Sequence, residues 1–191
     1  MITVYCHFGL HHAWTLVQSY SLKNAQKYAG KPYYINFPIN EASPSWKDYR
    51  LSLQTMIGIK EDKNERWRIT CNYTKNKWSL GDHLEASHSK ISILHSENSK
   101  YHGVCLPVEY VSIRGKSCKQ CQIKLWQYEK VILHTDSSAS RCPNVKAWDG
   151  KPCTNNAGED NFGFYKCTNS AHTCSSSEEA TTHLWFGGNY L

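Results

Sequence analysis

The chain has 191 residues, a length that suits one domain, and its 40% hydrophobic and 20% charged side chains are enough to bury a core, which excludes a disordered chain. The net charge of +6 is scattered: its densest group, Lys60, Lys63, Arg66, Arg68, Lys75 and Lys77, is interrupted by Glu61, Asp62 and Glu65, so no nucleic-acid partner is expected. No run of about 18 apolar residues occurs, so no membrane-spanning helix is expected.

Ile2 to Cys6 alternates loosely and predicts a short strand. Ala13 to Tyr20 alternates better, with Trp14, Leu16 and Tyr20 against Thr15, Val17 and Ser19, and predicts a second strand with Trp14 in the core. Lys23 to Ile39 is broken by Gly30, Pro32 and Pro38 and reads as loop or short turns. Ser43-Pro44 supplies an N-cap and a first-turn proline. Trp46, Tyr49, Leu53 and Met56 then follow at helical spacing up to Gly58, which predicts the main helix with this stripe as its buried face. Arg66 to Tyr73 is the cleanest strand, with Trp67, Ile69, Cys71 and Tyr73 inward and Arg66, Arg68, Thr70 and Asn72 toward solvent. Lys90–His95, Val108–Arg114, Gln122–Tyr128 and Val131–His134 are further strands, the second confined to starting after Pro107. Beyond Thr135 the alternation stops. Phe162, Phe164, Tyr165, Leu184, Trp185 and Phe186 are the apolar anchors of a stretch rich in Ser, Asn, Gly and Cys. With no internal repeat and no sharp linker, residues 1–191 read as one α+β domain. Its N-terminal half is mixed, with an antiparallel sheet and one main helix, and its C-terminal half is irregular.

There are nine cysteines, six of them between Cys118 and Cys174, where apolar residues are too few for a core of their own. Cross-links would supply what burial cannot. Disulfides are expected among Cys71, Cys105, Cys118, Cys121, Cys142, Cys153, Cys167 and Cys174, with Cys6 left over. Zinc is the competing reading, from Cys118-Lys119-Gln120-Cys121 and from Cys167 and Cys174 flanking His172, although a second close C-x-x-C pair is absent. A redox motif at Cys118 would need a helix N-terminus, and the residues after it read as a strand. The sequon Asn72-Tyr73-Thr74 marks Asn72 as a candidate glycosylation site. Met1 to Phe8 lacks a basic segment followed by an apolar run and is not a signal peptide; the cysteines decide for a secreted, extracellular protein whose leader lies upstream.

Val4-Tyr5-Cys6 followed by Ala13-Trp14-Thr15-Leu16-Val17-Gln18-Ser19 resembles the opening of fibrinogen C-terminal-like domains. The resemblance extends to Asn40-Glu41-Ala42-Ser43-Pro44-Ser45-Trp46, Tyr110-Val111-Ser112-Ile113-Arg114-Gly115, Ser117-Cys118, Asp160 to Cys167, and Thr181 to Gly188. It is nearest to short secreted invertebrate members of that type and covers about residues 4–188. It implies a fibrinogen-like fold, truncated at its N-terminus. The family joins the cysteine matching Cys6 to one further upstream, which would account for the odd count and would let an upstream segment drive oligomerisation. Where the family carries a glycine run before the tryptophan, this chain has Leu10-His11-His12-Ala13.

Calcium is the expected cofactor: Trp148-Asp149-Gly150 and Gly158-Glu159-Asp160-Asn161 supply three carboxylates, Asp149, Glu159 and Asp160, on cross-linked loops. His172, Trp185 and Tyr165 are the candidate ligand-binding residues, pairing aromatic faces with polar groups as glycan sites do. No G-x-S-x-G, H-E-x-x-H, Walker A or G-x-G-x-x-G pattern occurs, and no enzyme activity is expected. Two functions stay open. One is a lectin-like module for carbohydrate or microbial surface groups, assisted by calcium. The other is an adhesive extracellular-matrix protein bound to other extracellular proteins.

Overall fold

Alternation of Trp67, Ile69 and Cys71 with Arg66, Arg68 and Thr70 makes Arg66–Cys71 a strand near the middle of a nine-stranded antiparallel sheet. The computed structural model describes residues 2–73, 81–135, 142, 160–165 and 167–189. The sheet is built, in chain order, from β1 (Cys6–Phe8), β2 (His12–Ser21), β3 (Asp48–Arg50), β4 (Arg66–Cys71), β5 (His83–Ser87), β6 (Tyr101–Ile113), β7 (Lys116–Tyr128), β8 (Val131–Thr135) and, after the small β9 (Asp160–Asn161) and β10 (Phe164–Tyr165) pair, β11 (Thr181–Asn189). The spatial order is β1-β2-β11-β4-β5-β6-β7-β8, with β3 also on β2. Two short helices, α1 (Ala25–Ala29) and α2 (Leu53–Glu61), complete a mixed fold dominated by antiparallel sheet.

One face of the sheet carries the apolar core. Successive pairs set Phe186 beside Trp67 and Ala86, and Leu184 beside Ile69, Leu84 and Val111, all buried. Each of the Leu, Ile, Val and Phe side chains contributes about 1.5–3 kcal/mol through burial. The expectation of an irregular C-terminal half is corrected here. Thr181–Asn189 is the strand between β2 and β4, and both of its faces are buried, so its sequence lacks the polar alternation of a half-exposed strand.

The expected helix from Ser43 to Gly58 is also corrected. Tyr49 lies in β3, Trp46 precedes it, and α2 begins only after Ser52, whose hydroxyl accepts the Thr55 N–H. Glu41 decides the boundary: its carboxylate accepts the Ser52 N–H at 2.9 Å and the Thr55 hydroxyl at 2.8 Å. That pairing satisfies the cap from another segment, as a capping box does within one helix. Gly58 lies inside α2 rather than closing it. Lys90–His95 forms no strand, because buried side chains take its backbone groups instead: Trp67 Nε1 donates to the Ile91 carbonyl, Gln127 Nε2 to that of Ile93, and Tyr101 to that of Ser92. Strand β6 runs through Pro107 instead of starting after it. At that residue β6 pairs only with β7, so Pro107 stands at an edge, where proline is tolerated in a sheet. The irregular segment after α1 is gathered by Arg50, fully buried, which donates to the carbonyls of Lys31, Pro32 and Ile35 at 2.8–2.9 Å.

Arg68 and Thr70, expected in solvent, are buried because the second face of the sheet is covered around β4. The Arg68 guanidinium lies 4.3 Å from the centroid of Trp14 and 5.2 Å from that of Trp185 and contacts His7 Nδ1 at 3.0 Å. Burial lowers its pKa to about 9, so it stays cationic at neutral pH and draws on the aromatic faces.

Three disulfides are present among the described residues. Cys71–Cys174 joins β4 to the 3₁₀ turn Thr173–Ser175 across 103 residues, with Cα atoms 4.5 Å apart. In the chain-entropy model a loop of that length corresponds to about 4–5 kcal/mol of stabilisation. Cys105–Cys142 and Cys118–Cys121 span 37 and 3 residues. Cys167 is disulfide-bonded too, Cys6 is free and exposed, and Cys153 lies outside the described residues. No described helix is long and apolar enough to cross a membrane.

Two consequences can be measured. A Cβ at Gly187 would run into the Ala13 carbonyl and the Trp14 ring, so Gly187→Ala is expected to lower unfolding stability by about 1–3 kcal/mol in urea melts. Burial lowers the pKa of His83, His88 and His183 to about 3 each. The folded state therefore holds them neutral, while the unfolded chain takes up protons below about pH 6.5. Stability is expected to be flat above pH 7 and to fall as pH drops toward 3, each histidine adding a slope of up to about 1.4 kcal/mol per pH unit. Urea melts between pH 8 and pH 4 check the sign.

Candidate functional site

The sequence-predicted ligand residues do not converge on a surface. Tyr165 and His172 meet at 5.9 Å between ring centroids, but both are buried. The Tyr165 hydroxyl is paired with Thr182 Oγ1 at 2.8 Å, and His172 Nδ1 with Ser175 Oγ at 3.3 Å. Trp185 is buried on the other face of β11, where its indole donates to Thr70 Oγ1 at 2.9 Å. These three side chains are thus buried and bonded within the fold. Asp149 and Glu159 lie outside the described residues, and Asp160 is described only through its backbone in β9.

The zinc alternative meets the same sulfurs. Donor atoms of Cys71, His172 and Cys174 lie within 4.8 Å of one another, all buried, yet the two sulfurs are bonded to each other. Cys118 and Cys121 are likewise joined. Beside the first cluster, buried Asp82 accepts the Arg114 N–H at 2.5 Å and the Thr173 N–H at 2.6 Å and lies 3.6 Å from His172 Nε2. One carboxylate so fixes both the β6–β7 turn, where Arg114 and Gly115 take positive φ as a two-residue hairpin requires, and the segment carrying Cys174.

Asn72, the candidate glycan acceptor, is half-buried and its side-chain amide is engaged within the fold. Its Nδ2 donates to the Thr173 carbonyl at 3.0 Å, and its Oδ1 accepts the Thr181 N–H at 2.8 Å. The side-chain amide is a clamp between the end of β4 and the start of β11.

An accessible site lies elsewhere, on the second face of the sheet. Cross-strand pairing places Arg68, Glu85, Tyr110 and Lys119 in one row across β4, β5, β6 and β7. Past the buried Arg68 this row opens into a groove of about 670 Å³, completed by Arg66, His83, Glu109 and Gln120. Arg66 bonds Glu85 at 2.9 Å, and Lys90 bonds Glu109 at 3.0 Å, which anchors both carboxylates. His83 meets the Tyr110 ring edge-on at 5.5 Å between centroids. Burial, then the nearby Arg68 charge, keeps His83 neutral at physiological pH. The polar ends of Tyr110, Lys119 and Gln120 have no hydrogen-bond partner among the described residues. A cation, an amide and a phenol thus stand available beside two anchored carboxylates, a donor and acceptor mixture suited to a polar ligand with many hydroxyls.

Sequence reasoning missed this groove because β5 went unrecognised. The signal was present: His83 and Glu85 alternate with buried Leu84 and Ala86. No family model matches the chain, and no curated protein and no solved structure matches it.

Replacing Asn72 by Asp keeps the acceptor and removes the Nδ2 donor. Asn72→Asp is expected to cost about 1–3 kcal/mol in thermal or urea unfolding.

Proposed function

We propose that the chain is an extracellular recognition domain that binds carbohydrate in the groove between β4 and β7, on a fibrinogen C-terminal-like scaffold. The observation that carries the reading is the groove wall: the Tyr110 ring set among the unshared polar ends of Lys119 and Gln120 and the anchored Glu85 and Glu109. Sugars combine hydroxyls that donate and accept with apolar ring faces, and sites for them combine fixed polar groups with an aromatic side chain. The disulfides are compatible with an oxidising, extracellular setting. The resemblance at Trp14 to Ser19 supports the scaffold, and the carboxylates Asp149, Glu159 and Asp160 remain the proposed calcium ligands. Binding rather than catalysis fits a groove whose histidine stays neutral over the whole range in which proton transfer near pH 7 would need it to titrate.

A second reading has its own observation. Phe8 and Leu10 are 73% and 84% exposed beside the free, exposed Cys6, an apolar surface suited to another extracellular protein. A glycan array with and without EDTA separates the two. The recognition reading expects binding to a defined sugar set, reduced by EDTA if calcium assists. It also expects a loss of at least tenfold in affinity for Tyr110→Ala and for Lys119→Ala, both with unchanged melting temperature. Absence of sugar binding together with tight protein association would favour the adhesive reading.

A further inference from the structure

In a regular strand, residues three apart face opposite sides and lie about 10 Å apart. Cys118 and Cys121 stand three apart within β7, yet their Cα atoms are 6.2 Å apart and their sulfurs are bonded. Gln120 makes this possible by adopting φ 49°, a left-handed conformation rare for an L side chain. The inward-facing positions change parity at the same place. On β7 they run Cys118, then Cys121, Ile123 and Leu125; on β6 they run Ile113 and Val111, then Val108. Both strands slip together, so the ladder keeps its register: Tyr110 stays opposite Lys119, and Val108 opposite Cys121. Burial of Val108, Val111, Ile113, Ile123 and Leu125 holds that slip in place without help from the sulfurs. The distinct contribution of the bond is to hold Lys119 and Gln120, the two residues it encloses, in the groove wall.

We propose that the Cys118–Cys121 bridge is a thiol–disulfide exchange site, opened by a small thiol or dithiol while the buried Cys71–Cys174 bridge stays closed, and that its opening releases the Lys119–Gln120 wall of the groove. Both cysteines are half-buried on a hairpin whose flanking residues are exposed, whereas Cys71 and Cys174 are buried. On loop-closure entropy alone, a bond spanning 3 residues favours the folded state about 200-fold less than one spanning 103, so its opening leaves the fold in place. A reductant thiolate attacks one sulfur, forms a mixed disulfide and expels the other cysteine as a thiolate, which takes a proton. A second reductant thiol then displaces the first cysteine. Two electrons pass, leaving two protein thiols and the reductant's disulfide. The consequence for ligand affinity rests on the groove being the ligand site; the bond chemistry and the wall's release do not.

Dithiothreitol titration of the native protein, with iodoacetamide trapping and peptide mass mapping, tests the first part. Cys118 and Cys121 are expected to be alkylated at a reductant concentration at least tenfold below that opening Cys71–Cys174. Hydrogen–deuterium exchange tests the second part. Amides of residues 119–121 are expected to exchange at least tenfold faster in the selectively reduced protein, and in C118S/C121S, with β11 amides unchanged. Bridges that open together, or a wall whose exchange is the same with and without the bond, would overturn the proposal. Failure of the carbohydrate reading appears in a different measurement, as absence of glycan binding by the fully oxidised protein.

Discussion

The structure depends on where its last strand goes. β11 enters the sheet between β2 and β4 and pairs with both, so the first, middle and last parts of the chain meet along nine residues. The sheet cannot close until Thr181–Asn189 is in place. Its docking is fastened at the Thr181 end by the Asn72 amide and by the bond from Cys71 to Cys174. At the other end Gly187 lets the β2 backbone and Trp14 approach closely. Pairing between residues so distant in sequence carries a loop-closure cost, which these local fastenings offset.

Buried polar side chains organise what the sheet does not. Arg50 collects three carbonyls from the segment after α1. Gln127 accepts the Tyr33 N–H and donates to the carbonyls of Ile93 and Ser99, tying two loops to β7. Asp82 joins a hairpin tip to the segment that carries Cys174. In each case one side chain satisfies backbone groups that irregular structure leaves without ladder partners, and so permits loops to be buried. The second face of the sheet shows the same economy: Arg68 lies between Trp14 and Trp185, and the polar row that begins with it reaches solvent only past β4.

The groove owes its shape to a coordinated irregularity. In two regular strands Glu109 and Tyr110, as neighbours, would face opposite sides. The parity change at Gln120 and its counterpart on β6 turns both of these residues, with Lys119 and Gln120, toward one groove. The groove wall and the Cys118–Cys121 bond therefore occupy the same four-residue stretch of β7, residues 118–121.

Local pattern was enough to read the strands around Trp14, Trp67, Ile123 and Ile132, the mixed class, the leftover Cys6 and the presence of cross-links, because alternation and cysteine number are properties of neighbours along the chain. The start of α2 was not legible, since Glu41 sets it from eleven residues before Ser52. Nor was β11, since a strand buried on both faces carries no polar alternation to mark it. Burial of Tyr165, His172 and Trp185, engagement of the Asn72 amide and convergence of Arg66, Glu85, Tyr110 and Lys119 were decided only by tertiary structure. Each depends on which strands lie side by side, and that order is set by contacts between residues up to a hundred or more positions apart.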